Sequence, residues 1–82
     1  LPLFDPYFDS YRSSVADFAN ASNSRYGGGI SAALFLQKFV GNAKWAHFDV
    51  MAWNESAEGP FAHAGGNGHL VQALCRFIAS FK

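Results

Sequence analysis

Apolar and polar positions change period several times along the chain. Phe4, Tyr7, Phe8, Tyr11 and Val15 recur at helical spacing, and Asp9, Arg12 and Ser13 fall elsewhere on the wheel. The spacing predicts an amphipathic helix over residues 6–14. Asp5-Pro6 reads as its start, an N-cap carboxylate followed by proline at the first helical position. Residues 15–24, VADFANASNS, lose that period. They predict at most a very short strand at 16–18 and then Asn/Ser loop chemistry. Gly27-Gly28-Gly29 opens a second helix over residues 30–40, apolar nearly all round, with only Ser31, Gln37 and Lys38 polar. Such a helix is expected to be buried on most sides. Gly41-Asn42 is a fitting stop.

Residues 44–51, KWAHFDVM, alternate as a strand does. Ala46, Phe48 and Val50 point one way, and Trp45, His47, Asp49 and Met51 the other. Both faces are mostly apolar, as in a strand covered on both sides. Residues 54–68 read as a loop rich in Gly, Ala and Pro. A third helix is predicted over 70–81, with an apolar stripe of Leu70, Leu74, Phe77, Ile78 and Phe81. The predicted order is helix, short strand or loop, helix, strand, helix, an α/β pattern. One or two strands do not make an independently stable sheet, so the second helix and the strand call for a sheet that these residues do not supply.

Composition sharpens that expectation. Half of the 82 residues are hydrophobic and only 15% are charged, against about 25% charged in an ordinary soluble domain. So small a body buries only about 60–65% of its unfolded surface and needs polar residues to clothe the rest. The deficit predicts either self-association or packing against a larger partner. The start at Leu1 rather than Met is read in the same way, as a piece of a longer chain. Net charge is zero and no basic run occurs, which argues against a nucleic-acid partner. The longest apolar run, 30–36, is too short to span a bilayer, and LPLFDPYFD lacks the basic region of a signal peptide. The single Cys75 excludes an internal disulfide and is compatible with a reducing compartment.

Candidate chemistry is sparse. His47 and Asp49, two apart on one predicted strand face, could share a metal with His63 or His69. No compact ligand motif accompanies them, and the plainer reading makes His47 and Asp49 polar groups at a packed strand end. The Gly27–Gly29 run could cradle an anion. It lacks the Walker lysine and dinucleotide spacing, so close helix packing is the better account. Cys75, beside the apolar stripe of the last helix, reads as a buried, inert thiol. Ser10, Ser13 and Ser14 have no histidine nearby in sequence, and Asp5 and Asp9 read as a solvated face. No complete active site is legible from these residues.

Three stretches nevertheless form a recognisable series. They are Ser14-Val15-Ala16-Asp17 with Asn20, then Gly28-Gly29-Ile30-Ser31-Ala32-Ala33-Leu34-Phe35-Leu36, then Trp45-Ala46-His47-Phe48-Asp49-Val50, followed by a closing AGGNGHLVQALCRFI. In this order the chain resembles the C-terminal end of the catalytic domain of the leucyl aminopeptidase (cytosol aminopeptidase) family. The resemblance implies a piece of a three-layer α/β/α sandwich. It implies a cytoplasmic, usually hexameric enzyme that removes N-terminal residues, often leucine, from peptides. It also implies two divalent metal ions, zinc or manganese, that activate a water for attack on the scissile carbonyl. The family's lysine, aspartate and glutamate ligands, among them the Asn-Thr-Asp-Ala-Glu-Gly-Arg segment, have no counterpart in these residues. No catalytic residue or metal ligand is therefore assigned, and the 82-residue chain is expected to be inactive alone. By position, Met51 and Ala52 are the substrate-binding candidates, as wall of the pocket for the first side chain. Here Met51-Ala52-Trp53-Asn54 stands where the family commonly has Ala-Gly. A non-enzymatic domain that oligomerises through its apolar faces is the alternative reading.

Overall fold

The computed structural model describes residues 1–82. It contains a 3-10 helix, two α-helices and one pair of short strands, divided between two units, Leu1–Phe48 and Asp49–Lys82.

The first unit opens with the 3-10 helix, Asp5–Tyr11, carrying Pro6 in its first turn. Proline is tolerated there because the N–H it lacks would have no helical acceptor. Phe4, not Asp5, occupies the cap position, and no side chain caps the end. The predicted helix continued to residue 14; the observed one stops at Tyr11, and Val15 is exposed. Serine chemistry accounts for the early stop. Ser13 Oγ accepts hydrogen bonds from the backbone N–H groups of Val15 and Ala16, a local alternative to helical bonding. The chain then turns back on the helix it has left. Ala19 N–H donates to the Tyr11 carbonyl at 2.7 Å and Asn23 N–H to that of Ser10 at 2.9 Å. Residues 16–18 are thus a series of bends, not the short strand expected.

α1, Gly28–Gln37, packs against the 3-10 helix. Tyr11, Ala33 and Leu34 form the buried apolar core, with Leu34 only 2% exposed. Ser31 is buried beside them, and its hydroxyl is satisfied by the Gly27 and Gly28 carbonyls at 3.2 and 3.3 Å. Around this centre Phe8, Tyr11, Phe18, Phe35 and Phe39 form a connected aromatic cluster, with neighbouring ring centroids 5.3–5.8 Å apart. Such pairs add about 0.5–1.5 kcal/mol each beyond area burial. Lys38 Nζ lies 4.4 Å from the Phe8 ring centre. The expectation of burial on most sides of α1 is not met: Leu36 and Phe39 are exposed. One face is covered by the 3-10 helix and its returning loop, and the unit has no further element to cover the rest. The helix also ends earlier than residue 40, in i→i+3 turns that carry residues 38–40.

Residues 44–51 form no strand. Strand geometry is held by ladder hydrogen bonds to a neighbour, and no strand of this chain pairs with them. The alternation of side chains is present in the sequence; the partner is not.

In the second unit the only sheet starts one residue before the segment expected to be loop and otherwise lies within it. β1, Trp53–Asn54, pairs antiparallel with β2, Gly65–Gly66, in the register Trp53 to Gly66 and Asn54 to Gly65. A bridge between Glu58 and Phe61 narrows the connection. α2, Val71–Ser80, follows. Leu70 and Leu74 are half-buried, whereas Phe77, Ile78 and Phe81 of the same stripe are exposed. Cys75 is exposed as well, which corrects its reading as a buried thiol: α2 buries no residue within this chain. No helix is long and apolar enough to cross a membrane.

The glycine run separates two roles. Gly27 caps α1 in the left-handed region at φ 67°, and a Cβ there would lie 2.8 Å from Tyr7 Cε2. Tyr7 is itself held edge-on against Phe4. A Cβ on Gly28 would meet nothing within 4 Å. Gly27→Ala is expected to cost about 1–3 kcal/mol, from the left-handed backbone and the collision together. Gly28→Ala should be neutral or stabilising by up to about 1 kcal/mol. Urea denaturation of the two variants side by side checks this.

Candidate functional site

The residues singled out for chemistry are dispersed. His47 is half-buried, with its ring centre 6.5 Å from that of Trp45. Asp49 and His63 are exposed. Nowhere in the chain do three or more His, Cys, Asp or Glu side chains come together in a way that could hold a metal ion. The donor set needed for a metal site is therefore not assembled from these residues, and no chemical step through a metal is assigned to them. Ser10 and Ser13 are engaged structurally. Ser10 Oγ donates to the Tyr7 carbonyl at 2.9 Å and receives the Ser22 hydroxyl at 2.8 Å. Asp9 pairs with Arg12 at 3.3 Å with both side chains largely exposed, a contact worth little. A cleft of about 400 Å³ lies beside these groups, with Tyr7, Ser10, Asn23 and Ser31 among its lining residues.

The substrate-binding candidates lie in a better-organised place. Met51 is 78% exposed and Ala52 half-buried, at the entry to β1. Two residues just after β2, Asn67 and His69, grip this segment. Asn67 N–H donates to the Ala52 carbonyl at 2.9 Å. Asn67 Nδ2 donates to Asn54 Oδ1 at 2.6 Å. His69 Nδ1 lies 3.2 Å from the Met51 carbonyl oxygen; a carbonyl only accepts, so this bond requires the proton on Nδ1. Asn67 Oδ1 in turn accepts the backbone N–H of His69 at 3.0 Å, closing an Asx turn. Leu70, the next residue, has φ 68° and is the only non-glycine residue with positive φ. A leucine in that region costs about 1–2 kcal/mol, so the turn is held by its bonds against local preference. The sequence marks His69 as a possible metal ligand and gives Asn54 and Asn67 no role. The Asn67-Gly68 pair is a turn signal, but nothing in the sequence couples it to a residue thirteen positions earlier.

Comparison with known proteins bears on what such a segment belongs to. Residues 1–75 match the cytosol aminopeptidase family, catalytic domain. The chain belongs to the cytosol aminopeptidase family. It is 41% identical over 83 residues to a probable cytosol aminopeptidase of Koribacter versatilis, with 99% of this chain covered. It is 44% identical over 80 residues to one of a Geobacter species and 42% identical over 80 residues to one of Gloeobacter violaceus, each covering 95% of the chain. The chain spans about 16% of the length of each of these relatives. No solved structure matches it. Its membership in a peptidase family agrees with the resemblance carried by the GGISAALFL and WAHFDV stretches.

The dispersal of the histidines gives a direct expectation. Tag-free 82-residue chain, dialysed and analysed for metal, should carry far less than one zinc per chain. Stoichiometric zinc lost on His47→Ala or His63→Ala would show a site that the present geometry does not contain.

Proposed function

We propose that this chain is the C-terminal segment of the catalytic domain of a metal-dependent leucyl aminopeptidase, and that its part in the reaction is to wall the pocket for the substrate's first side chain. The family match over residues 1–75 carries the reading. In this proposal the rest of the catalytic domain completes a three-layer α/β/α sandwich and brings residues 44–51 into a ladder. The alternating pattern of those residues supports it, as does the exposure of Leu36, Phe39, Phe77 and Ile78, which a partner layer would cover. The same remainder supplies the ligands for two divalent metal ions, zinc or manganese. The enzyme is cytoplasmic and hexameric, acts on peptides and engages neither nucleic acid nor a membrane.

Within the segment, Met51 and Ala52 receive the N-terminal side chain. An exposed thioether next to a half-buried methyl offers an apolar, adaptable surface suited to a leucine-sized group. The alternative of a non-enzymatic oligomerising domain has no observation in its favour beyond the apolar surface, which the enzyme reading accounts for equally.

The full-length protein is expected to hydrolyse leucyl p-nitroanilide, to lose activity with a chelator and to regain it with zinc or manganese. The isolated 82 residues should be inactive. Met51→Ala should change the leucine-to-phenylalanine ratio of kcat/KM by about tenfold, the usual scale for reshaping an apolar pocket. Activity unaffected by chelation would refute the metal-dependent reading, and an unchanged ratio would remove Met51 from the pocket.

A further inference from the structure

The pocket wall is only as well defined as the backbone that carries it, and Met51–Asn54 is a segment with little regular structure. β1 is two residues long and its partner is a pair of glycines without side chains to pack. Four hydrogen bonds from Asn67 and His69 supply what the ladder does not. They hold the Met51 carbonyl, the Ala52 carbonyl and the Asn54 side chain, and they fold Asn67 onto His69 N–H. Asn54 and Asn67 are both half-buried, so their mutual bond is shielded and worth more than a surface contact.

We infer that the Asn54–Asn67 amide pair, with His69 on the Met51 carbonyl, is a specificity-determining clip: Asn54 and Asn67 are positioning residues that set Met51 and Ala52 against the substrate's first side chain. This rests on the proposed role of Met51 and Ala52. It assigns selectivity to residues that touch no substrate and lie thirteen positions apart. Geometry sustains it in two ways. The side-chain bond is short, at 2.6 Å, and the Asn67 backbone bonds to Ala52, one of the two wall residues. The left-handed Leu70 also indicates a turn whose shape is imposed by these bonds, and backbone strain of this kind concentrates at sites where position matters.

Isosteric charge changes test the clip without removing atoms. In Asn54→Asp the carboxylate still accepts from Asn67 Nδ2. In Asn67→Asp the carboxylate still accepts the His69 N–H, and Asn54 can turn its amide to donate. The double variant N54D/N67D places two acceptors together and has no donor between them. In the full-length protein, kcat/KM is measured for leucyl and alanyl p-nitroanilide, alongside Met51→Ala. Each single Asp variant is expected to change the leucine-to-alanine ratio by less than about twofold. The double variant is expected to lower it by about fivefold or more, a non-additive effect of the size contacting groups show. Should the double variant not accumulate as folded protein, N54A/N67A, which brings no charges together, takes its place with the same expectation. If Met51→Ala shifts the ratio and the double variant does not, the clip is refuted and the wall reading stands. If Met51→Ala leaves the ratio unchanged, the wall reading fails and the clip falls with it. Equal losses on both substrates in the double variant would reduce the pair to general stability and overturn the assignment.

Discussion

The packing of α1 onto the 3-10 helix is the contact on which the first unit depends. Tyr11, Ala33 and Leu34 are its buried apolar residues, and everything around them is organised by reaching this centre. Gly27 lets the chain pass against Tyr7 before α1 begins. Ser31 returns its hydroxyl to the preceding carbonyls so that a polar group can share the core. The loop that follows the 3-10 helix bonds back to the Tyr11 and Ser10 carbonyls, which brings Phe18 to Phe8 and Phe35. A core this small cannot use all the apolar residues available. Leu36 of α1 and Phe39 in the turns after it are exposed, as are Phe77 and Ile78 of α2. The proposed place in a larger catalytic domain accounts for this surplus, since further layers would cover it.

The histidines, acids and serines are scattered or locally bonded, and no donor set converges. What converges is backbone and amide chemistry at the second unit's strand pair. Asn67 satisfies three partners at once, through its N–H, its Nδ2 and its Oδ1. A half-buried amide with both its nitrogen and its oxygen engaged fixes its neighbours more firmly than an apolar residue of the same size, because alternative arrangements leave polar groups unpaired. On the proposed function, the segment's contribution to an aminopeptidase is one of shape, the placement of Met51 and Ala52.

Three departures from the expected structure share one cause. Residues 6–14 carry helical spacing, yet the 3-10 helix stops at Tyr11, because Ser13 offers its hydroxyl to the next two N–H groups. Residues 44–51 carry strand alternation and form no strand, because no partner pairs with them. Residues 54–68 carry turn composition and yet hold β2 and the second residue of β1, because the pairing of Trp53–Asn54 with Gly65–Gly66 needs no hydrophobic alternation. In each case periodicity reports which face a residue can present, and hydrogen-bond partners decide whether the element forms.

By itself the sequence determined the two α-helices to within a few residues, the glycine that begins α1, the lack of a compact ligand motif and, through GGISAALFL and WAHFDV, the family. These are local quantities: side-chain spacing, backbone permissiveness and residue identity at consecutive positions. Tertiary structure alone decided which apolar residues are covered, which glycine meets Tyr7, and that Asn54 and Asn67 join across thirteen positions beside Met51. Those outcomes depend on which distant groups are brought within bonding distance, and chain folding sets that distance while spacing along the sequence does not.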